Sequence, residues 1–242
     1  MKKNYFLLVI VLLLFVISCS LKVSTSDDAV YTRTDKVYED TLFFMPIETQ
    51  NLQIVYDEDT GKLLVVTYIT LDRSQMEDIT KFCFILDEDT RIINFTINNK
   101  VSEIERMLSY SSENIKQKID HSTLSKIRFT SEIHRFTIPG NLEKDEKIEL
   151  MIKYSISDQS KGEAYHQTKN EFKLIGDLFW YPQTLVNGGE LKLNFNVIAD
   201  YSITINEKPV NFKKYRSYKF YEHTMQNLFN APLSIEGKKP TK

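Results

Sequence analysis

The sequence predicts a mainly β fold: a β-sandwich or a large curved antiparallel sheet with a short helical insertion. Three observations lead there. About ten segments are rich in β-branched and aromatic residues and end in turn chemistry. One stretch, Val101 to Ile119, carries apolar residues near helical spacing. Glycine is scarce, 7 in 242 residues, which argues against a glycine-rich phosphate-binding fold.

The strands follow in chain order. Asn51 to Asp57 and Lys62 to Leu71 read as a hairpin closed by Glu58-Asp59-Thr60-Gly61. Lys81 to Leu86 and Arg91 to Asn98 read as a second pair, joined by Asp87-Glu88-Asp89-Thr90. Asp-Glu-Asp-Thr thus occurs at 57 and again at 87. It reads as repeated turn chemistry, because a Ca²⁺ loop needs more oxygen ligands at alternating positions and a placed glycine. Ile104, Met107, Leu108, Ile115 and Ile119 give the helical insertion, interrupted by the polar run Ser109 to Asn114. Strand composition returns at Lys126 to Phe129, Glu132 to Ile138 and Lys147 to Ser157, with Pro139-Gly140 as a turn. Ser157 to Thr168 is polar and reads as a loop. Glu171 to Ile175, Leu191 to Val197, Tyr201 to Ile205, Lys214 to Tyr221 and Leu233 to Glu236 complete the series, with a break at Val186-Asn187-Gly188-Gly189.

Composition removes several function classes. Hydrophobic residues at 42% and charged residues at 26% are ordinary for a globular chain. Without the first 18 residues, 29 basic face 33 acidic side chains. A net charge of −4 does not point to nucleic acid. The two cysteines are Cys19 and Cys83. Cys83, inside an apolar strand, reads as a small buried thiol, with a reactive nucleophile as the alternative. The four histidines, at 121, 134, 166 and 223, have no zinc spacing, and no cofactor is expected. There is no Gly-x-Ser-x-Gly elbow, phosphate loop or dinucleotide fingerprint.

Two local clusters are candidate partner-binding sites. Phe179-Trp180-Tyr181-Pro182 holds the single tryptophan. Trp180 and Tyr181 would serve either as an exposed aromatic anchor or as a packed corner, and packing is the favoured reading. Lys213-Lys214-Tyr215-Arg216-Ser217-Tyr218-Lys219-Phe220-Tyr221 interleaves cations with aromatics. Lys214, Tyr215, Arg216 and Tyr218 suit an anionic polymer or a lipid headgroup, or else a strand whose lysines guard its edge. The edge reading is favoured, because the chain as a whole is slightly acidic.

The start of the chain specifies an address. Lys2 and Lys3 precede an apolar run from Tyr5 to Ile17, too short to span a bilayer comfortably. Val16-Ile17-Ser18-Cys19 resembles the lipobox of bacterial lipoproteins. That resemblance implies removal of residues 1–18 and acylation of Cys19. Two or more acyl chains anchor firmly where one binds marginally. Residues 19–45 would form the lipidated cysteine and tether, and residues 46–242 the β-domain. Ser20, in place of the aspartate that retains enteric lipoproteins, implies the outer membrane ahead of the inner one.

From Asn51 onward the order of segments resembles the N-terminal β-domain of the gluzincin aminopeptidases, the aminopeptidase N family. The residues that carry the likeness lie in five places. Phe82-Cys83-Phe84-Ile85-Leu86 with Ile92-Ile93-Asn94-Phe95 is similar to a family strand pair. His134 to Pro139 with Lys147 to Tyr154 matches its strand, loop and extended strand ending in tyrosine. Leu174-Ile175-Gly176-Asp177 with Trp180-Tyr181-Pro182 resembles an aromatic-proline corner. Leu191 to Val197 with Tyr201 to Ile205 looks like the strand pair after that corner. Asn230 to Ile235 resembles the closing strand before the catalytic domain. The family's chemistry needs His-Glu-x-x-His on a helix and a Gly-x-Met-Glu-Asn loop, and neither occurs here. The likeness therefore implies a scaffold domain without its enzyme and carries over no functional residue. The expected function is a membrane-anchored, non-catalytic lipoprotein of the cell envelope that binds a protein partner. The alternatives are a surface lipoprotein contacting host molecules and a hydrolase with an unrecognised site.

Overall fold

The structure, a computed structural model, describes residues 31–32, 41–72, 74, 79–107, 115, 121–140, 147–157, 164–198 and 200–240. Cys19, the leader and most of the tether lie outside these residues, as do parts of the expected insertion and of the loop after Ser157.

The first hairpin forms as expected, from β2 (Ile47–Asp57) and β3 (Lys62–Leu71), after a short β1 (Tyr31–Thr32). Alternate residues of β2 and β3 are buried, so one face of the pair looks into the core. The turn closes because Gly61 takes φ +64 and Asp57 accepts from the Asp59 amide and the Thr60 hydroxyl, at 3.1 and 2.7 Å.

The next two strands exist but do not pair with each other. β4 (Lys81–Asp87) pairs with β8 (Ser131–Thr137), and β5 (Arg91–Ile97) pairs with β9 (Glu149–Ile156) and with β6 (Lys100–Val101). Asp87 makes the same aspartate turn as Asp57, accepting from the Asp89 amide at 3.0 Å. Arg91, however, stands where the first turn has Gly61, and no residue from 87 to 91 has a positive φ. Without a left-handed residue the chain passes to another sheet.

The helical insertion is also placed differently. Residues 104–107 form a strand, β7 (Ile104–Met107), and the helix is α1 (His121–Thr130), which includes the expected strand Lys126 to Phe129. Ile104 and Met107 are three apart and both buried, a helical spacing. In β7 they point to opposite faces: Ile104 enters the main core and Met107 a second, smaller one. The α1 segment has few strong helix formers, and among its described side chains Ile127 is buried in the second core. The Ser131 hydroxyl caps its end by donating to the Ile127 carbonyl at 2.8 Å.

The remaining strands are β10 (Tyr165–Gln167), β11 (Glu171–Leu174), β12 (Glu190–Ile198), β13 (Ser202–Ile205), β14 (Lys208–Pro209), β15 (Phe212–Tyr215), β16 (Tyr218–Gln226) and β17 (Ile235–Lys238). β10 lies within the segment read from sequence as a loop, and Lys214 to Tyr221 is a hairpin instead of one strand. Three sheets result, two of them mixed in direction and the five-stranded one antiparallel throughout. The largest has eight strands in the order β15-β16-β12-β2-β3-β9-β5-β6, with β12 parallel to β2. A five-stranded sheet runs β10-β11-β17-β13-β14, and a four-stranded one β1-β7-β8-β4. β4 has no solvent face: Phe82, Phe84 and Leu86 enter the main core, while Cys83 and Ile85 enter the second.

The corner at 176–184 ties the three sheets together. Phe179 takes φ 62, and its carbonyl accepts from the Asp87 amide at 2.9 Å. Ile85 and Gln183 exchange backbone bonds at 2.9 and 3.1 Å. The Gln50 amide of β2 donates to the Pro182 carbonyl at 3.0 Å. Trp180 Nε1 donates to the Leu233 carbonyl at 2.7 Å, and the Tyr181 hydroxyl accepts from the Leu233 amide at 3.2 Å. Gly176 permits this approach, since a Cβ there would stand 2.6 Å from the Leu233 carbonyl oxygen. Trp180→Phe keeps most of the apolar volume but strands that buried carbonyl. The variant should lose roughly 1–3 kcal/mol in urea denaturation followed by circular dichroism.

Candidate functional site

Trp180 and Tyr181 are not on the surface. Both are fully buried, so the reading of them as an exposed partner anchor is corrected to a packed corner.

The other cluster is exposed. β15 forms the edge of the large sheet, with Phe212 opposite Tyr221, Lys213 opposite Phe220, Lys214 opposite Lys219 and Tyr215 opposite Tyr218. Lys214, Tyr215, Arg216 and Tyr218 therefore meet at one hairpin tip. Phe212, Tyr215 and Tyr218 are 48%, 50% and 46% exposed, values unusual for such large rings. Several contacts order the tip. Lys219 Nζ donates to the Tyr201 carbonyl at 2.6 Å and lies 4.5 Å from the centre of the Phe212 ring. The Arg216 guanidinium sits 5.4 Å from the centre of the Tyr215 ring. Lys213 pairs with Glu222 at 2.9 Å, with both side chains well exposed.

The hairpin continues onto the outer face of the large sheet. Strand register sets Lys213, Phe220, Asn196, Val55 and Leu64 in one row, and Lys192, Asn51, Tyr68 and Met151 in another. Val55, Tyr68 and Ile93 are exposed large hydrophobics of this sheet. Periodicity in β2 and β3 signalled that one face would be solvated. It could not show that β16 and β12 bring the tyrosine hairpin beside Val55.

Groups of catalytic type lie elsewhere and are dispersed. Cys83 is buried and free, and burial pushes its thiol up to about 12, as expected for an inert core residue. His134 is sealed against Phe84, with ring centres 5.3 Å apart, and burial, with a smaller effect from Arg106, pushes it down to about 3. Asp87, at the end of β4, is pushed up to about 7 by burial. Among the described residues no group of three or more His, Cys, Asp or Glu is placed to hold a metal. A cleft of about 50 Å³ between α1 and the corner, lined by Thr123, Asp177, Phe179, Gln183, Phe229 and Pro232, has room for little more than water.

This geometry defines a class: a β-rich domain of three sheets with an uncovered sheet face and a basic, aromatic edge hairpin. Solved structures give that class a setting. A mutant M1 zinc metallopeptidase from Deinococcus radiodurans superposes with a TM-score of 0.54 at 11% identity, over 84% of this chain and 46% of its own. Yeast LTA4 hydrolase in complex with Bestatin gives 0.55 at 8% identity, over 87% of this chain and 32% of its own. Native yeast LTA4 hydrolase gives 0.52 at 8%, over 80% and 29%. The chain thus has a fold found in M1 peptidase and LTA4 hydrolase structures, spans less than half the length of each, and is similar to them in fold alone. No protein-family model matches it, and no curated protein matches it by sequence.

Two predictions follow the local chemistry. Arg216, with φ 55, is the first of two residues in the β15–β16 turn, a position that glycine occupies without strain. Arg216→Gly should raise stability by about 0.5–1 kcal/mol in chemical denaturation. Asp87 supplies a pH signature. Between pH 3.8 and about 7 the unfolded chain ionises this carboxyl while the native state keeps it protonated, so native stability falls as pH rises through that window. Asp87→Asn removes the effect. The variant's stability relative to wild type should grow from pH 4 to 7 and then level off, as read by urea midpoints across pH. His134 has the opposite slope: its folded value lies below the unfolded 6.5, so its contribution is lost as pH falls from there toward 3.

Proposed function

We propose that the chain is a membrane-anchored, non-catalytic lipoprotein of the bacterial cell envelope whose β-domain binds a protein partner. The observation that carries this reading is the uncovered outer face of the eight-stranded sheet, with Val55, Tyr68 and Ile93 exposed and tyrosines at its edge. Exposed aromatics on a rigid sheet suit recognition, because they supply contact area at low entropic cost. The fold likeness to M1 zinc metallopeptidases supports a domain of a kind that accompanies catalysis, while the 242 residues contain no His-Glu-x-x-His. Acylated Cys19 would confine the domain to a thin layer at the membrane and raise its effective concentration toward a partner in the same layer.

The test has two arms. Metabolic labelling with a fatty acid should mark the wild-type chain and leave Cys19→Ala unlabelled; equal labelling, or none in either, removes the anchor. A photo-crosslinker at position 68 should give a discrete protein adduct in intact envelopes that Val55→Asp suppresses at least several-fold. A crosslinking pattern indifferent to Val55→Asp removes the sheet face as the binding surface.

A further inference from the structure

We infer that the β15–β16 hairpin is a second membrane contact, docking on anionic phospholipid headgroups and so fixing which way the anchored domain faces. The inference rests on the anchored reading above.

Charge is the first observation. From Lys208 to Tyr221 the chain carries Lys208, Lys213, Lys214, Arg216 and Lys219, flanked by Glu207 and by Glu222, which pairs with Lys213, within a protein of 31 basic and 33 acidic residues. The segment is a local exception to an acidic average, which is the complementarity an anionic surface selects. Register is the second. Lys214 stands directly opposite Lys219, a like-charge cross-strand pair that costs stability in water. Lys219 is turned to the Tyr201 carbonyl at 2.6 Å, so the Lys214 ammonium is the one of the pair that a phosphate would meet, and its charge would relieve the repulsion. Strain is the third. Arg216 holds a left-handed conformation that glycine would take without cost, in the turn that joins the two strands of this basic hairpin.

The aromatic residues select lipid over a soluble polyanion. Tyr215 and Tyr218 face each other at the tip, half exposed, with Phe212 beside Lys219. Rings with an apolar body and a polar hydroxyl settle at headgroup depth, and neighbouring cations then reach phosphates. Reach allows it. Eleven residues lie between Cys19 and Tyr31, the first described residue in a sheet. Their extended span of roughly 40 Å matches the diameter of a domain of this size. Such a tether leaves orientation open, and a basic aromatic tip on one edge closes it.

The experiment places Tyr215→Trp in the anchored full-length protein and adds it to vesicles of phosphatidylcholine alone or with 30% phosphatidylglycerol. The native Trp180 is buried and provides a constant background. Brominated lipids should quench the new tryptophan in the anionic vesicles and much less in the neutral ones. Lys214→Glu with Arg216→Glu should abolish that difference, since each cation contributes roughly a fivefold gain in binding. Flotation and fatty-acid labelling report the anchor separately: a protein that floats while its hairpin stays unquenched overturns this inference and leaves the anchor standing. Quenching that is equal in both lipids overturns it too, as does protection of the hairpin by an acidic polypeptide and not by vesicles. Arg216→Gly keeps the fold relaxed and removes one charge, so reduced quenching in that variant reflects charge and not unfolding.

Discussion

The corner from Gly176 to Thr184 is the constraint on which the rest of the architecture depends. It is short, yet it bonds to a strand of the four-stranded sheet, to Gln50 in the eight-stranded sheet and to Leu233 just before β17 of the five-stranded sheet. Each of these bonds satisfies a polar group that burial would otherwise leave costly. Gln50 shows the economy of the arrangement: its amide donates to Pro182 while its oxygen accepts from Asn227 at 2.8 Å. Trp180 and Tyr181 add two large rings, 4.8 Å apart, to the same point. Aromatic area and backbone satisfaction thus converge where the sheets meet.

That anchoring explains what is left outside. β4 and β8 are sandwiched between the main core and the second core under α1, so the four-stranded sheet spends its apolar surface internally. Among the described residues the eight-stranded sheet has cover on one face only. Its other face carries a mixed set, Lys62, Leu64, Val66, Tyr68 and Thr70 along β3, which is soluble and still offers apolar purchase. Its edge strand β15 carries Lys213 and Lys214, which also discourage edge-to-edge association. The same cations would attract an anionic bilayer.

The chain's hairpin turns show a graded use of backbone strain. Asn98-Asn99 and Asn206-Glu207 both take positive φ at two consecutive positions, the pattern of the tight turn that matches strand twist. Asparagine tolerates this conformation well and glutamate poorly. Arg216 is the third case, and it lies at the tip of the candidate site. Strain at exposed tips costs little in cooperativity, because those turns lie at the margin of the sheets. Strain at Phe179 is different in kind, since bonds on both sides of it hold the corner in place.

The sequence alone determined the β character, the β2–β3 hairpin, the breaks at Pro139-Gly140 and Val186-Gly189, and the alternation of cations with aromatics from Lys213 to Tyr221, though not that this run folds into a hairpin. These are local matters: alternation, turn residues and charge order act over a few positions. Tertiary structure decided the pairing of β4 with β8 in place of β5, because the second Asp-Glu-Asp-Thr lacks the glycine that folds the first back on itself. It decided that Ile104 and Met107 form a strand, since two cores rather than one receive a spacing of three. It decided the helix at His121–Thr130, where Ile127 is buried in the second core. It also decided between the two aromatic clusters, hiding Trp180 and Tyr181 and exposing Tyr215 and Tyr218. Neighbouring residues cannot encode that choice, because burial depends on which distant strands arrive to cover them.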